Sequence, residues 1–188
     1  MTTTAAPATT GVATWAIDPA HSNVEFAVKH LMISTVKGRF SDVKGTIRHD
    51  ESNPANSQVE IDIGTASIDT RAEQRDAHLR SGDFFDVERF PTMTFRSRRI
   101  EGDPDQKFKL IGDLTIRDVT REVTLDAEFQ GRKRDPWGGE RMGFDATGKV
   151  NRKDYGLNWN QVLEAGGWVL GDEIKLTIDV ELIKQQKS

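Results

Sequence analysis

Over most of this chain apolar and polar residues take turns one by one, and that period of two is what most limits its fold. Ile174, Leu176, Ile178, Val180 and Leu182 fall on one face of a strand, with Glu173, Lys175, Thr177, Asp179 and Glu181 on the other. Val24, Phe26 and Val28 alternate in the same way with Asn23, Glu25 and Lys29. So do Val59, Ile61 and Ile63 with Glu60 and Asp62, and Val123, Leu125, Ala127 and Phe129 with Glu122, Thr124, Asp126 and Glu128. Further strands are expected near 38–49, 92–101, 107–117 and 141–151, after a short lead-in at 15–18. That makes about eight or nine strands.

Turn chemistry separates these segments: Asp18-Pro19, Asn53-Pro54, Gly102-Asp103-Pro104 and Asp135-Pro136-Trp137-Gly138-Gly139. No long helical pattern supplies parallel crossovers, so the sheet is expected to be antiparallel. One short helix is predicted at about 71–81. Thr70 and Glu73 have the spacing of a capping box, and Gly82 follows as a C-terminal stop.

Eight or more antiparallel strands with one apolar face form either a two-sheet sandwich or a closed barrel. A membrane barrel is excluded, because its outward face is apolar and here the polar face is densely charged with both signs. The apolar face therefore points inward, where it either fills a dry core or lines an apolar cavity. Alternation alone does not separate the two.

Composition narrows the function. A chain of 188 residues with 36% hydrophobic residues suits a single domain with a real core. The absence of cysteine excludes disulfides, thiolate metal sites and thiol nucleophiles. With 26 Lys and Arg against 30 Asp and Glu, net charge −4, a nucleic-acid-tracking basic stripe is not expected. No stretch approaches the roughly 20 apolar residues of a membrane helix, so no stable membrane insertion is expected. Residues 1–13 read as a disordered arm ahead of one domain at 14–188, and they lack the charged and apolar regions of a secretory signal. The expectation is a cytoplasmic protein, or a periplasmic or secreted one if a leader has been removed.

Signals for covalent chemistry are few. His21, His30, His49 and His78 show no HxH, HxxxH or HExxH spacing, so no metal site is expected, and His21 is expected to close the turn that begins at Asp18. No G-x-S-x-G elbow, G-x-G-x-x-G or P-loop is present. Asp83, Asp86 and Glu88 alternate with Phe84, Phe85 and Phe90 in what reads as a loop with buried rings and wet carboxylates. Gly112, Gly143 and Gly148, inside strands, point to bulges or barrel corners. The apolar stretch 161–172 is a candidate for a mobile lid or a dimer contact.

A series of segments, in order along the chain, carries a resemblance. Asp18-Pro19-Ala20-His21-Ser22 leads to Phe26, His30 and Lys37-Gly38-Arg39-Phe40. Next come Ser67-Ile68-Asp69-Thr70, Arg75-Asp76-Ala77-His78-Leu79, and Asp83-Phe84-Phe85-Asp86 with Phe90-Pro91. Gly112-Asp113-Leu114-Thr115-Ile116 and Arg152-Lys153-Asp154-Tyr155-Gly156 complete the set. Together, over about residues 14–184, they resemble the YceI-like family. Asp118 departs from it, standing where a glycine is usual.

The resemblance implies an all-β fold: an antiparallel eight-stranded lipocalin-like extended β-barrel with one short helix packed against it. It implies an apolar tunnel for a long isoprenoid or other lipid chain, such as a polyprenyl phosphate, an isoprenoid quinone or a fatty-acid-like molecule. It also implies a homodimer, requires no cofactor and carries over no catalytic residue. Phe26, Val28, Val36, Phe40, Phe84, Phe85 and Phe95 are candidates for the tunnel wall. Leu114, Ile116, Phe144, Leu157, Trp159, Leu163 and Trp168 are the others. Arg71, Arg75 and His78, at i, i+4 and i+7, would share a helix face able to hold a polar head group. A plainer reading pairs Asp76 with Arg80 along the helix and Arg75 with a barrel carboxylate. The expected function is sequestration or transport of the lipid. One alternative is an enzyme acting on a lipid-like substrate through His21, His78 or Asp76, and another is a barrel that is simply full.

Overall fold

A computed structural model describes residues 11–186 apart from Ala165. In chain order the strands are β1 (Val12–Ile17), β2 (Asn23–His30), β3 (Ser34–Phe40), β4 (Val43–Asp50), β5 (Gln58–Gly64) and β6 (Ile68–Asp69). After helix α1 (Glu73–Arg80) come β7 (Thr92–Gly102), β8 (Lys107–Ile116), β9 (Val119–Arg134), β10 (Glu140–Asn151) and β11 (Glu173–Lys184). All pairings are antiparallel. The stretch expected as one strand over 38–49 is two, broken at Ser41-Asp42. Residues 12 and 13, assigned above to a disordered arm, belong to β1 and pair with Asp50 and His49; residues 1–10 lie outside the described part.

The sheet closes on itself. Strands β1-β4-β5-β7-β8-β9-β10-β11 form a ring of 8, completed where β11 meets β1 at Trp15↔Lys184 and Ile17↔Leu182. The same edge of β11 pairs lower down with β2, from Asp179↔Asn23 to Lys175↔Ala27. One long strand thus carries two successive short ones, and β2, β3 and β6 branch from the ring as a flap. The apolar set of each strand points inward as its alternation requires.

The corner between β1 and β2 makes this branching possible. Asp18 is buried there: its amide donates to the Glu181 carbonyl at 2.8 Å, and its carboxylate accepts from the Ala20 amide at 3.0 Å and faces His21 Nδ1 at 2.8 Å. Arg141 ties the corner to the sheet, reaching Asp18 at 2.8 Å, Glu181 at 2.5 Å and Asp135 at 3.0 Å. The hydrogen bond from Arg141, then that from His21, holds the Asp18 carboxyl below the usual carboxylate range. His21 closes the turn, as its position suggests.

Glycines mark irregularities. β7 bulges at Arg98 opposite the Gly112–Ile111 step, and β9 bulges at Gln130 beside Gly143. Gly148 shows no register shift; a Cβ there would lie 2.6 Å from Leu125 Cδ2, so it permits close packing instead. In the β8–β9 turn the positive φ falls on Arg117, at 55°, which is why Asp118 is tolerated without glycine.

Helix α1 differs from its expected capping. Ala72 occupies the N-cap position with no side-chain cap bond, because the Thr70 hydroxyl instead donates to buried Asp76 at 2.5 Å. Ser81, not Gly82, ends the helix, its amide donating to the His78 carbonyl at 3.1 Å.

Because Asp18 has a depressed folded-state pKa, its stabilisation is present above the unfolded value near 3.8 and is lost as pH falls through the folded value. Asp18→Ala should therefore lower Tm by roughly 5–10 °C at pH 7. In thermal melts across pH the gap to wild type should narrow below about pH 4.

Candidate functional site

Inside the ring lies a cavity of about 510 Å³ whose wall is almost wholly apolar. That size falls in the range of small-molecule sites. From the flap come Phe26 and Val28 of β2 with Val36 and Phe40 of β3. The loop after α1 adds Phe84 and Phe85, while Phe95, Leu114, Ile116, Phe144 and Leu157 complete the set expected from the sequence. Phe26 and Phe85 flank Phe40, at ring-centroid distances of 5.7 and 5.6 Å. Gly38 is required beneath Phe26, since a Cβ there would stand 2.4 Å from the ring.

Three wall candidates lie elsewhere. Trp159 packs edge-on against His78 at 4.6 Å and beside Phe84 at 5.6 Å, outside the cavity lining. Leu163 and Trp168 sit in an excursion that turns back on itself, with Leu163 N–H donating to the Gly167 carbonyl at 3.0 Å and Trp168 51% exposed. The backbone of this excursion is strapped to β2, through Leu31 N–H to the Val169 carbonyl at 2.7 Å and Gly171 N–H to the Lys29 carbonyl at 2.9 Å.

The expected basic helix face is not formed. Arg71 precedes the helix, exposed, with φ 63° and its amide bonded to Asp69 at 2.9 Å. His78 faces Asp83 at 2.8 Å and is not part of the cavity wall. Only Arg75 lines the cavity, and it donates to the Thr70 hydroxyl at 2.7 Å and the Thr70 carbonyl at 2.8 Å rather than to a carboxylate. Asp76 does not pair with Arg80, whose guanidinium bonds the carbonyls of Ala66 and Ile68 at 2.9 and 3.0 Å. The Asp83–Asp86 loop turns both phenylalanines toward the cavity, with Asp83 on the exposed side and Asp86 strained at φ 49°.

His21, His78 and Asp76, the residues of the enzyme alternative, lie outside the cavity wall and are tied to Asp18, Asp83 and Thr70, of which Thr70 alone lines it. Among the described residues, Asp18, His21 and Glu181 have the spacing of a cation site. The Arg141 guanidinium already bridges both carboxylates, so the positive charge is supplied by the chain.

Several structural residues were not anticipated. Arg152, 4% exposed, is the hub of the segment that closes the helix end. It donates to the carbonyls of Leu157 at 2.6 Å, Gly171 at 2.8 Å, Trp159 at 2.9 Å and Leu170 at 3.4 Å, and to the Asp172 carboxylate at 3.4 Å. Burial lowers its pKa from the usual guanidinium value. Its only sequence signal is its place in Arg152-Lys153-Asp154-Tyr155-Gly156. At the opposite end Phe108 and Phe129 flank Phe144, at 6.0 and 5.2 Å. There the wall also includes His49, Ser57, Asp105 and Arg132. Phe129 and the strand alternation around it were legible; the polar groups were not.

A YceI-like domain model matches residues 15–182. The chain belongs to the YceI-like family. A Staphylococcus aureus UPF0312 protein is 40% identical over 165 residues, covering 87% of this chain and 94% of the relative. The Campylobacter jejuni YCEI protein is similar in structure, with TM-score 0.70 and 34% identity over 85% of this chain and 90% of that one. A polyisoprenoid binding domain from Saccharophagus degradans, implicated in plant cell wall breakdown, superposes with TM-score 0.70 over 93% of this chain and all of that one. At 13% identity the last shares the fold. Among the described residues of the YceI-like barrel, no helix is long and apolar enough to cross a membrane.

Arg152→Lys keeps the charge but loses the planar fork that serves several carbonyls at once. The variant should melt roughly 5–10 °C lower and be cut faster within 157–172 in limited proteolysis.

Proposed function

We propose that the barrel binds a long isoprenoid or similar lipid chain in its cavity and holds it for sequestration or transport, without covalent chemistry. The observation that carries this reading is the unfilled apolar cavity itself, about 510 Å³ inside a closed ring whose exterior is charged. A polyprenyl chain offers only apolar area, worth roughly 25 cal/mol per Å² buried. A wall of aromatic and branched aliphatic side chains matches it without requiring directional partners. Support also comes from the barrel's likeness to a structure described as a polyisoprenoid binding domain. The enzyme alternative gains no support from its three named residues, none of which lines the cavity. Working in the cytoplasm remains part of the proposal.

Filling the cavity separates binding from folding. Ala146 lines it, paired across the sheet with Ala127. Ala146→Phe should keep the stability within about 1–2 kcal/mol yet lose retention of a prenyl quinone added to the purified protein, read by mass spectrometry of the intact complex. Equal retention in this folded variant would contradict the assignment of the cavity.

A further inference from the structure

The proposed lipid reading leaves open which end of the cavity receives the polar head and what chemistry that head carries. At the end away from the helix the wall turns polar. There His49 occupies the inward position of β4 that follows Ile47, opposite Ala13 of β1, and forms part of the cavity wall. Its ring is held by Ser57: Nδ1 lies 3.2 Å from Oγ, while the Asp50 amide donates to the same Oγ at 3.1 Å. The Nδ1 contact runs in either direction, and with the Ser57 hydroxyl as donor its hydrogen goes to Nδ1. The neutral imidazole then carries its proton on Nε2. Among the described residues nothing accepts from that Nε2.

The surrounding charges decide what it can bind. Asp105 and Arg132 line the cavity with His49, while the Asp50 carboxylate is bound to Ser52 and Asn53 and that of Glu51 to Arg132. Arg132 is already committed to Glu51 at 3.1 Å and Glu140 at 2.6 Å, and its guanidinium lies 5.2 Å over the Trp15 ring. Burial also keeps the imidazole neutral, pushing the His49 pKa down from 6.5. A phosphate head, carrying about −1.5 to −2 charges, would meet the Asp105 carboxylate and a guanidinium already paired with two carboxylates. An uncharged oxygen acceptor meets one N–H donor in an apolar setting, where a made hydrogen bond counts most.

Resting on the lipid-binding reading, we infer that His49 is the head-group anchor of the cavity, donating through Nε2 to an uncharged oxygen of the ligand, such as a quinone carbonyl or a prenol hydroxyl, in preference to a phosphate.

The test compares ligands with the same C20 prenyl tail: ubiquinone-4, geranylgeraniol, geranylgeranyl phosphate and the head-less hydrocarbon. Wild-type full-length protein at pH 7.5 should hold the quinone and the alcohol at least tenfold more tightly than the phosphate. His49→Phe should weaken the quinone about tenfold while leaving the hydrocarbon unchanged, and His49→Gln, which restores an N–H donor, should recover much of the loss. Circular dichroism and Tm confirm that both variants fold. Tightest binding of the phosphate, or loss of quinone affinity in Arg75→Gln but not in His49→Phe, would overturn the inference and place the head at the helix end. Failure of all four ligands, the hydrocarbon included, would overturn the lipid reading and this inference with it. Hydrocarbon binding without head-group preference overturns the His49 assignment alone.

Discussion

Everything in this molecule depends on one edge of β11 serving two strands in succession. A sheet whose apolar faces all point inward must close, or it leaves an unpaired edge and an exposed apolar face. Closing it with straight strands would yield a narrow barrel that side chains fill. Here β11 pairs with β1 near its end and with β2 below, so β2, β3 and β6 open outward as a flap. The interior widens beyond what the inward side chains occupy. Asp18 and Arg141 hold the corner at which the chain passes from one pairing to the next.

That corner links stability to function. The polar cluster of Asp18, His21, Glu181, Asp135 and Arg141 has metal-like spacing in part, yet its chemistry is internal neutralisation. Arg152 plays a matching part at the helix end, where one guanidinium satisfies carbonyls of a segment without regular structure. Neither cluster offers a reacting group to the cavity. The apolar wall is left free to match a chain, and the few polar groups at its two ends are left to distinguish heads.

Much of this was legible in the sequence because period-two alternation is a local property that closure does not alter. Ile174 through Leu182, Val24 through Val28 and Val123 through Phe129 all face the cavity side their pattern requires. What could not be read depends on tertiary partners. Thr70 looks like a helix cap, but the buried Asp76 carboxylate claims its hydroxyl. Arg71, Arg75 and His78 share a helical spacing that the helix, beginning only at Glu73, never realises. Trp159, Leu163 and Trp168 follow the last residue of β10, where no alternation says which way a side chain turns. His49 was visible only as an isolated histidine; its meaning comes from Ser57 and from the cavity it lines.

The most direct test of the account is native mass spectrometry of the freshly purified protein, with solvent extraction and identification of what it releases. The expected result is a one-to-one adduct that resolves to an isoprenoid or comparably long apolar chain. A ligand-free mass that persists after incubation with excess prenyl quinone would contradict it, and would mean that the cavity is space the folded barrel leaves empty.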